Sequence, residues 1–172
     1  VYDKIEDFEK PVIAAINGFA IAGGLEMCLA CDIRIASDNA QLGLVETNVG
    51  LLPAWGGVMR LPRLIGKGRA AEMVLTATRI DAKEAERIGL INKVVTPDEL
   101  KSTVMWTAGT VATKAPIPIK LAKRIMARAV ELTREEGNSK MIDGAVACMT
   151  SEDIVEGVSA MFEKRTPKFK GK

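Results

Sequence analysis

Two carboxylates stand in unusually apolar stretches of this sequence. The first, Glu26, follows Gly23 and Gly24 in the run IAGGLEMCLACD, which covers residues 21–32. If a helix begins at the glycines, Gly23 and Glu26 lie on one face, and the unpaired N–H groups of the helix N-terminus lie beside the carboxylate. Such N–H groups can stabilise an oxyanion, and glycine lets a ligand approach the backbone closely. The competing interpretation is a solvent-facing first-turn glutamate that the helix dipole favours.

The second carboxylate, Glu46, lies in the run QLGLVET over residues 41–47 and also has mostly apolar neighbours. Two carboxylates that share one water or one substrate carbon perturb each other's pKa, which suits proton transfer near neutral pH. The alternative is an ordinary exposed residue at the start of a helix, because sequence spacing alone does not bring Glu26 and Glu46 together.

The composition excludes several kinds of catalytic site. The sequence contains no histidine, which removes Ser-His and Cys-His nucleophiles and every histidine-ligated metal centre. Cys28 and Cys31 form a C-x-x-C, but no second pair completes a zinc site. We therefore interpret them as packed, reduced helix residues, with a redox or metal role as the alternative, and we expect no metal.

The charges are balanced, with 24 basic and 22 acidic residues and a net charge of +2 among 172 residues. This balance does not favour nucleic acid or an anionic membrane as a partner. The sequence has no apolar run of about 18 residues and no signal-peptide pattern. We therefore expect a soluble protein, cytoplasmic or, in a eukaryote, in the mitochondrial matrix. Because no initiating Met is present, we also expect a processed or truncated piece.

Short apolar or alternating runs predict the strands that position these carboxylates. They cover residues 11–17, 32–37, 41–44 and 90–95. A helix is predicted over the run that contains Glu26, and a second one near Glu46. Residues 50–57 are dense in Gly and Pro and predict a loop, followed by a short basic turn over 60–63. Trp55 in this loop either lines a site or plugs the core.

The second half of the sequence carries mostly helix signals. Asp81 begins one helix and Thr96 begins the next, a long amphipathic helix follows Pro118, and another helix is predicted over 154–164. The order indicates an α/β core over residues 1–95 and a helical region over residues 96–172. The apolar faces of this region predict contact with other subunits, or else packing on the chain's own core.

Several motifs occur in a specific order along nearly the whole chain. They are KPVIAAING at 10–18, AGGLE at 22–26, CDIRIA at 31–36, LVE at 44–46, GLLP at 50–53, GLINKVV at 89–95 and FEKR at 162–165. With this order and spacing the sequence closely resembles the enoyl-CoA hydratase (crotonase) superfamily. The resemblance implies a spiral of ββα units, here incomplete, followed by a helical trimerisation region. It also implies trimers or dimers of trimers that act on acyl-CoA thioesters, with no cofactor because acyl-CoA is the substrate.

The resemblance assigns roles position by position. Gly23 resembles the residue whose N–H forms one half of the oxyanion hole over the thioester carbonyl. Glu26 resembles the glutamate that orients and activates water, and Glu46 the one that exchanges the proton beside the carbonyl. The positions that resemble substrate contacts are Gly24, Ala54, Trp55, Phe162 and Lys164. The sequence departs from the family's common pattern in having Ala22 and Ala54 where glycine is frequent.

The presence of both glutamates favours a lyase of fatty acid metabolism that hydrates 2-enoyl-CoA to 3-hydroxyacyl-CoA, or catalyses the reverse dehydration. The resemblance does not extend to the family's N-terminal third, which in the family carries the other oxyanion donor. We therefore expect the chain alone to be weakly active or inactive. Two alternatives stay open. One is a non-catalytic trimerising fragment, and the other is an acyl-CoA double-bond isomerase that uses Glu46 alone.

Overall fold

In the computed structural model, which describes residues 2–172, strands and helices alternate up to residue 95 and helices follow. The strands are β1 (Ile13–Ile16), β2 (Phe19–Ile21), β3 (Ile33–Ser37), β4 (Gln41–Gly43), β5 (Ile80–Asp81) and β6 (Lys93–Val95). The helices are α1 (Asp3–Glu6), α2 (Gly23–Leu29), α3 (Gly57–Ile65), α4 (Lys67–Leu75), α5 (Ala82–Arg87), α6 (Pro97–Ala112), α7 (Pro116–Arg128), α8 (Arg134–Met149) and α9 (Glu152–Phe162). A 3₁₀ turn covers Glu46–Val49.

The strands form two small sheets in which successive ββ pairs stack in parallel. One sheet has the order β1-β3-β6, all parallel, with Ile13 opposite Ile33. The other has the order β2-β4-β5, in which β2 and β4 are parallel and β4 and β5 antiparallel. Each strand of the pair β1-β2 thus lies beside its counterpart in the pair β3-β4. This repeat is the ββα geometry that the resemblance implied.

The chain separates into two compact units. The first contains the described residues up to 8 together with 12–106, and the second contains residues 9–11 and 107–172. The core of the first unit is built from side chains of α2 to α5, of the strands and of the loop before β6, such as Leu25, Leu42, Leu61 and Leu90, each fully buried. The sequence predicts a domain boundary between residues 95 and 96, just before α6. This boundary stays a prediction.

The second unit buries far less apolar surface. Among its described residues Ala160 is buried, whereas large apolar side chains of α7, α8 and α9 are exposed. These are Met126, Met141, Ile142, Val146, Met149, Ile154, Val155, Val158, Met161 and Phe162. Lys123, predicted on a polar face, is instead buried, and its Nζ donates to the carbonyl of Lys10 at 3.1 Å.

Three expectations for individual elements were wrong, and some elements were not predicted. The predicted basic turn over 60–63 lies inside α3, because Pro62 is accommodated within the helix. The predicted helix near Glu46 is the single 3₁₀ turn. The half-buried strand predicted over 32–37 is buried on both faces, since β3 lies at the centre of its sheet and Arg34 finds carbonyl partners there. Strand β2 and helices α4 and α8 had no predicted counterpart.

Within residues 2–172, no helix combines the length and the apolar character needed to cross a bilayer.

Candidate active site

Helix α2 begins at the two glycines, as predicted, and its first turn carries Gly23 and Glu26. Within the described chain, the N–H groups of Gly23 and Gly24 donate to no protein acceptor, which is the usual state of first-turn N–H groups. Glu26 is only 2% exposed. The solvent-facing interpretation of Glu26 is therefore wrong, because the helix packs its whole first turn except Gly24 against the core of the first unit.

Ala22 precedes this helix in a conformation that alanine rarely adopts. Its φ is 52° and its ψ is −127°, where the Cβ of an L-residue meets the backbone. Its N–H donates to the carbonyl of Gly43 at 2.8 Å, and its carbonyl accepts from Leu25 and Glu26. These bonds hold the turn that aims α2. The glycine common in the family at this position would adopt the same conformation without strain.

The carboxylate of Glu26 is held by the backbone of a turn before α3. Its Oε1 accepts from the N–H of Trp55 at 2.8 Å and from the N–H of Gly57 at 2.9 Å. Two backbone donors on one oxygen fix the orientation of the carboxylate. A Cβ at Gly57 would lie 2.9 Å from the same oxygen, so glycine is what allows the backbone to approach this closely. Sequence reasoning missed Gly57 as a donor.

Glu46 opens the 3₁₀ turn and is also buried, at 9% exposure. Among described residues, its Oε2 is the buried side-chain oxygen without a hydrogen-bond partner. Burial raises the pKa of Glu46 above its ordinary value of 4.5, and the negative charge of Glu26 raises it further, while backbone N–H groups partly offset both effects. The electrostatic effect of Glu26 on Glu46 shows that the fold brings the two carboxylates into one region, which the sequence spacing could not establish.

Trp55 is 57% exposed, so it does not plug the core. Its ring packs on α2, since a Cβ at Gly23 would lie 2.9 Å from Cζ3 of the indole. The ring of Tyr2 meets it edge to face with centroids 5.9 Å apart. Gly23, Glu26 and Trp55 therefore form one cluster with Tyr2, a residue that no sequence signal indicated.

The other predicted contact residues are not part of this cluster. Gly24 is exposed, with open space where a Cβ would stand, and Ala54 is exposed in the turn before Trp55. Phe162 and Lys164 lie in the second unit, at the end of α9, where both are exposed and Lys164 has a φ of 52°. Their role in substrate binding stays a prediction.

Cys28 lies in α2 and Cys31 follows that helix, both as free thiols. In the part of the chain that the structure describes, no three His, Cys, Asp or Glu side chains are placed to hold a metal ion. Cys28 is buried, and that burial, with a smaller effect of Cys31, raises the pKa of its thiol to about 11. A thiol with this pKa is protonated and unreactive at neutral pH.

Comparison with known proteins gives consistent relatives. The sequence model described as enoyl-CoA hydratase/isomerase matches residues 1–172. The chain is 42% identical over 165 residues to the short-chain-enoyl-CoA hydratase of Clostridium acetobutylicum, covering 96% of this chain and 63% of that protein. It is 43% identical to the crotonyl-CoA hydratase of Syntrophomonas wolfei, covering 98% and 65%. The chain thus spans less than two thirds of the length of these relatives.

Among solved structures, the enoyl-CoA hydratase of Bacillus anthracis superposes with a TM-score of 0.97 at 41% identity. The match covers 99% of this chain and 66% of that one. The fold class predicted from the sequence, an α/β core with a helical C-terminal region, is therefore confirmed.

Proposed function

Since the chain belongs to the enoyl-CoA hydratase/isomerase family, we propose that it takes part in adding water to a 2-enoyl-CoA, or in the reverse dehydration. The observation that carries this proposal is the pair of buried carboxylates, Glu26 and Glu46, in one electrostatic environment beside the unpaired N–H of Gly23. The product of hydration is a 3-hydroxyacyl-CoA. Because named relatives act on short-chain enoyl-CoA and crotonyl-CoA, we propose a short-chain substrate.

In the proposed reaction Glu26 positions the water. Its Oε1 is occupied by the N–H groups of Trp55 and Gly57, which leaves Oε2 to accept a hydrogen bond from the attacking molecule. The water oxygen adds to the β-carbon of the enoyl group while one of its protons passes to Glu26 and Glu46 supplies a proton to the α-carbon, so that the elements of water are added across the double bond. Fixing the geometry in advance lowers the barrier, because the reacting groups need not be ordered at the moment of reaction.

Glu46 is proposed to exchange the proton at the α-carbon. Its raised pKa favours the protonated form that donates this proton, and the unpaired Oε2 can face a ligand. The N–H of Gly23 is proposed to donate to the thioester oxygen as negative charge develops there.

Hydration of crotonyl-CoA, followed by loss of absorbance of the conjugated thioester, tests the proposal. We expect Glu26→Gln and Glu46→Gln each to lower kcat roughly 100-fold or more, as loss of a general acid or base does. Glu72→Gln on the exposed surface of α4 is the matched control and should leave the rate unchanged. Full activity in both carboxylate variants would overturn the proposed roles.

The same variants separate the alternatives. An isomerase that uses Glu46 alone would keep its activity on a 3-enoyl-CoA in Glu26→Gln, whereas a hydratase would lose hydration. The two backbone donors on Glu26 favour the hydratase, because an isomerase would gain nothing from orienting that carboxylate. A non-catalytic trimerising fragment would show no activity to lose in any variant.

The hydration activity of the 172-residue chain is expected to differ from that of a version as long as its relatives. We propose that the 172-residue chain hydrates crotonyl-CoA weakly, because Gly23 is the one oxyanion donor assigned within it. Loss of one such donor typically lowers kcat by about 100- to 1000-fold. Equal turnover by the two lengths would contradict this. The compartment, cytoplasm or mitochondrial matrix, stays a prediction.

We propose a homotrimer, or a dimer of trimers, as the assembly. The support is the exposed apolar surface of α8 and α9, which includes Met141, Ile142, Met149, Val155 and Met161, and exposed apolar patches of this kind mark interfaces. Light scattering coupled to size exclusion measures the mass directly. A monomer at micromolar concentration would contradict the proposal.

A further inference from the structure

Arg60 is a buried charge that the proposed chemistry does not use. It lies on α3, one turn after the segment that holds Glu26, and its side chain is 8% exposed. Sequence reasoning placed it in a basic surface turn. A buried guanidinium is costly unless its donors are satisfied, so the contacts of Arg60 show what the residue does.

The guanidinium of Arg60 reaches the backbone of the turn over residues 55–57. Its Nη1 donates to the carbonyl of Trp55 at 3.1 Å. Independently of the side chain, the backbone N–H of Arg60 donates to the carbonyl of Gly56 at 2.9 Å, as in any first turn of a helix. The Trp55 carbonyl belongs to the peptide that lies between the two N–H groups bound to Glu26. Arg60 and Glu26 therefore bind the same turn, Arg60 through a carbonyl and Glu26 through N–H groups.

The remaining donors of Arg60 bind two carboxylates of α1. Nη2 donates to Asp3 Oδ1 at 2.6 Å and to Glu6 Oε2 at 2.7 Å, and Nε donates to Glu6 Oε2 at 3.1 Å. The carboxylate of Glu6 is partly buried and that of Asp3 is mostly exposed. Helix α1 thereby neutralises the charge of Arg60 and fixes the plane of its guanidinium.

Gly56 provides the space for this arrangement. Its φ is 111°, and a Cβ there would lie 1.9 Å from Nη1 of Arg60. A lysine could not replace arginine, because a single ammonium cannot reach the Trp55 carbonyl and both α1 carboxylates in a planar fork. Gly56 and Arg60 together fix the conformation of the turn, and the turn sets the positions of the N–H groups of Trp55 and Gly57.

We propose that Arg60 is a positioning residue for Glu26: it fixes the 55–57 turn, whose N–H groups in turn orient the carboxylate, and α1 keeps the guanidinium in place. The effect of Arg60 on catalysis rests on the proposed function. The positioning of the 55–57 turn rests only on the contacts of Arg60, and it can be measured without any enzymatic activity.

Amide hydrogen exchange by NMR tests the structural part in the 172-residue chain. In Arg60→Gln we expect exchange at the N–H groups of Trp55 and Gly57 to accelerate about tenfold relative to the amides of β3, as loss of one hydrogen bond does. Arg69→Gln, an exposed arginine on α4, is the matched control and should change neither. If Arg60 only stabilised the fold as a whole, hydrogen exchange at the β3 amides of Arg60→Gln would accelerate equally, and that result would overturn the proposal.

Two further variants keep the test decisive. If Arg60→Gln does not fold, Glu6→Gln retains the arginine but removes its partly buried partner, and should accelerate the same two amides about threefold. Arg60→Lys should give an intermediate acceleration. Unchanged exchange at Trp55 and Gly57 in every variant would refute the positioning role.

The kinetics of crotonyl-CoA hydration test the catalytic consequence. We expect Arg60→Gln to lower kcat for crotonyl-CoA about tenfold with KM nearly unchanged, because the orientation of Glu26 matters in the transition state and not in substrate binding. If the unaltered protein shows no hydration, the proposed function fails while the exchange result still decides the role of Arg60. A rise in KM alone would refute the catalytic consequence.

Discussion

Replacing Gly57 with alanine would place a methyl group against the carboxylate of Glu26. The added Cβ would lie 2.9 Å from Glu26 Oε1, 2.9 Å from Cδ1 of Leu44 and 3.0 Å from Cβ of Pro53. Leu44 and Pro53 are fully buried, so neither has room to retreat. We expect the carboxylate to move and its hydrogen bond from the Gly57 N–H, now 2.9 Å, to lengthen or break.

The expected loss of stability follows from three terms. Overpacking a tight site costs about 1–3 kcal/mol. Weakening a hydrogen bond to a charged acceptor costs about 1.5–3 kcal/mol, and the better helix propensity of alanine returns up to about 1 kcal/mol. Gly57→Ala should therefore lower the free energy of unfolding by about 1.5–6 kcal/mol.

Urea unfolding of matched variants measures this difference. Gly68 stands in the first turn of α4, and a Cβ added there would have no atom within 4 Å, so Gly68→Ala should stabilise the chain by up to about 1 kcal/mol. In hydration assays Gly57→Ala should lower kcat and Gly68→Ala should not. If Gly57→Ala unfolds at the same urea concentration as Gly68→Ala or higher, the reasoning about the Glu26 contact is refuted.

Three further outcomes are expected. Ala22→Gly should raise the free energy of unfolding by about 1 kcal/mol, because it relieves the strained φ of 52°; an unchanged urea midpoint would argue against strain. Glu46 has a raised pKa in the folded chain, so wild-type stability falls as pH rises from below 4.5 through the folded pKa. Thermal unfolding should then show Glu46→Gln to be more stable than wild type at pH 7 and equal to it near pH 4. With its pKa raised to about 11, Cys28 should react with iodoacetamide at pH 8 about 100-fold more slowly than free cysteine, which mass spectrometry of timed digests resolves; a rate equal to that of free cysteine would show that Cys28 is accessible and ionised.

Some features of the candidate site could be predicted from local sequence. The start of α2 could be predicted because two glycines precede a helical run, and the burial of Glu26 followed from its apolar neighbours. The capping residue Asp81 was visible because its side chain accepts from Glu84 N–H only three residues away. Such signals depend only on residues a few positions apart, so they can be read from the sequence alone.

Other features depended on contacts between distant segments. Helix α3 was missed because its Gly- and Pro-rich approach and internal Pro62 predict a loop, whereas tertiary packing buries Leu61 and Ile65 and sustains the helix. The burial of Arg60 and Lys123 was also missed. Charged side chains are normally exposed, and only the partners that the fold supplies offset the cost of burying them.

The sequence by itself determined the family, the start of α2 and the two carboxylates that can exchange protons, because these depend on residue types and local spacing. Only the tertiary structure decided that the charge of Glu26 acts on Glu46 and that one turn holds Glu26 through the N–H groups of Trp55 and Gly57. It alone also showed that Arg60 binds a carbonyl of that turn. The physical reason is that the hydrogen bonds of Glu26 join residues 29 and 31 positions apart in the chain. The hydrogen bond of Arg60 to Trp55 also depends on the directions of backbone groups, which no local sequence pattern encodes.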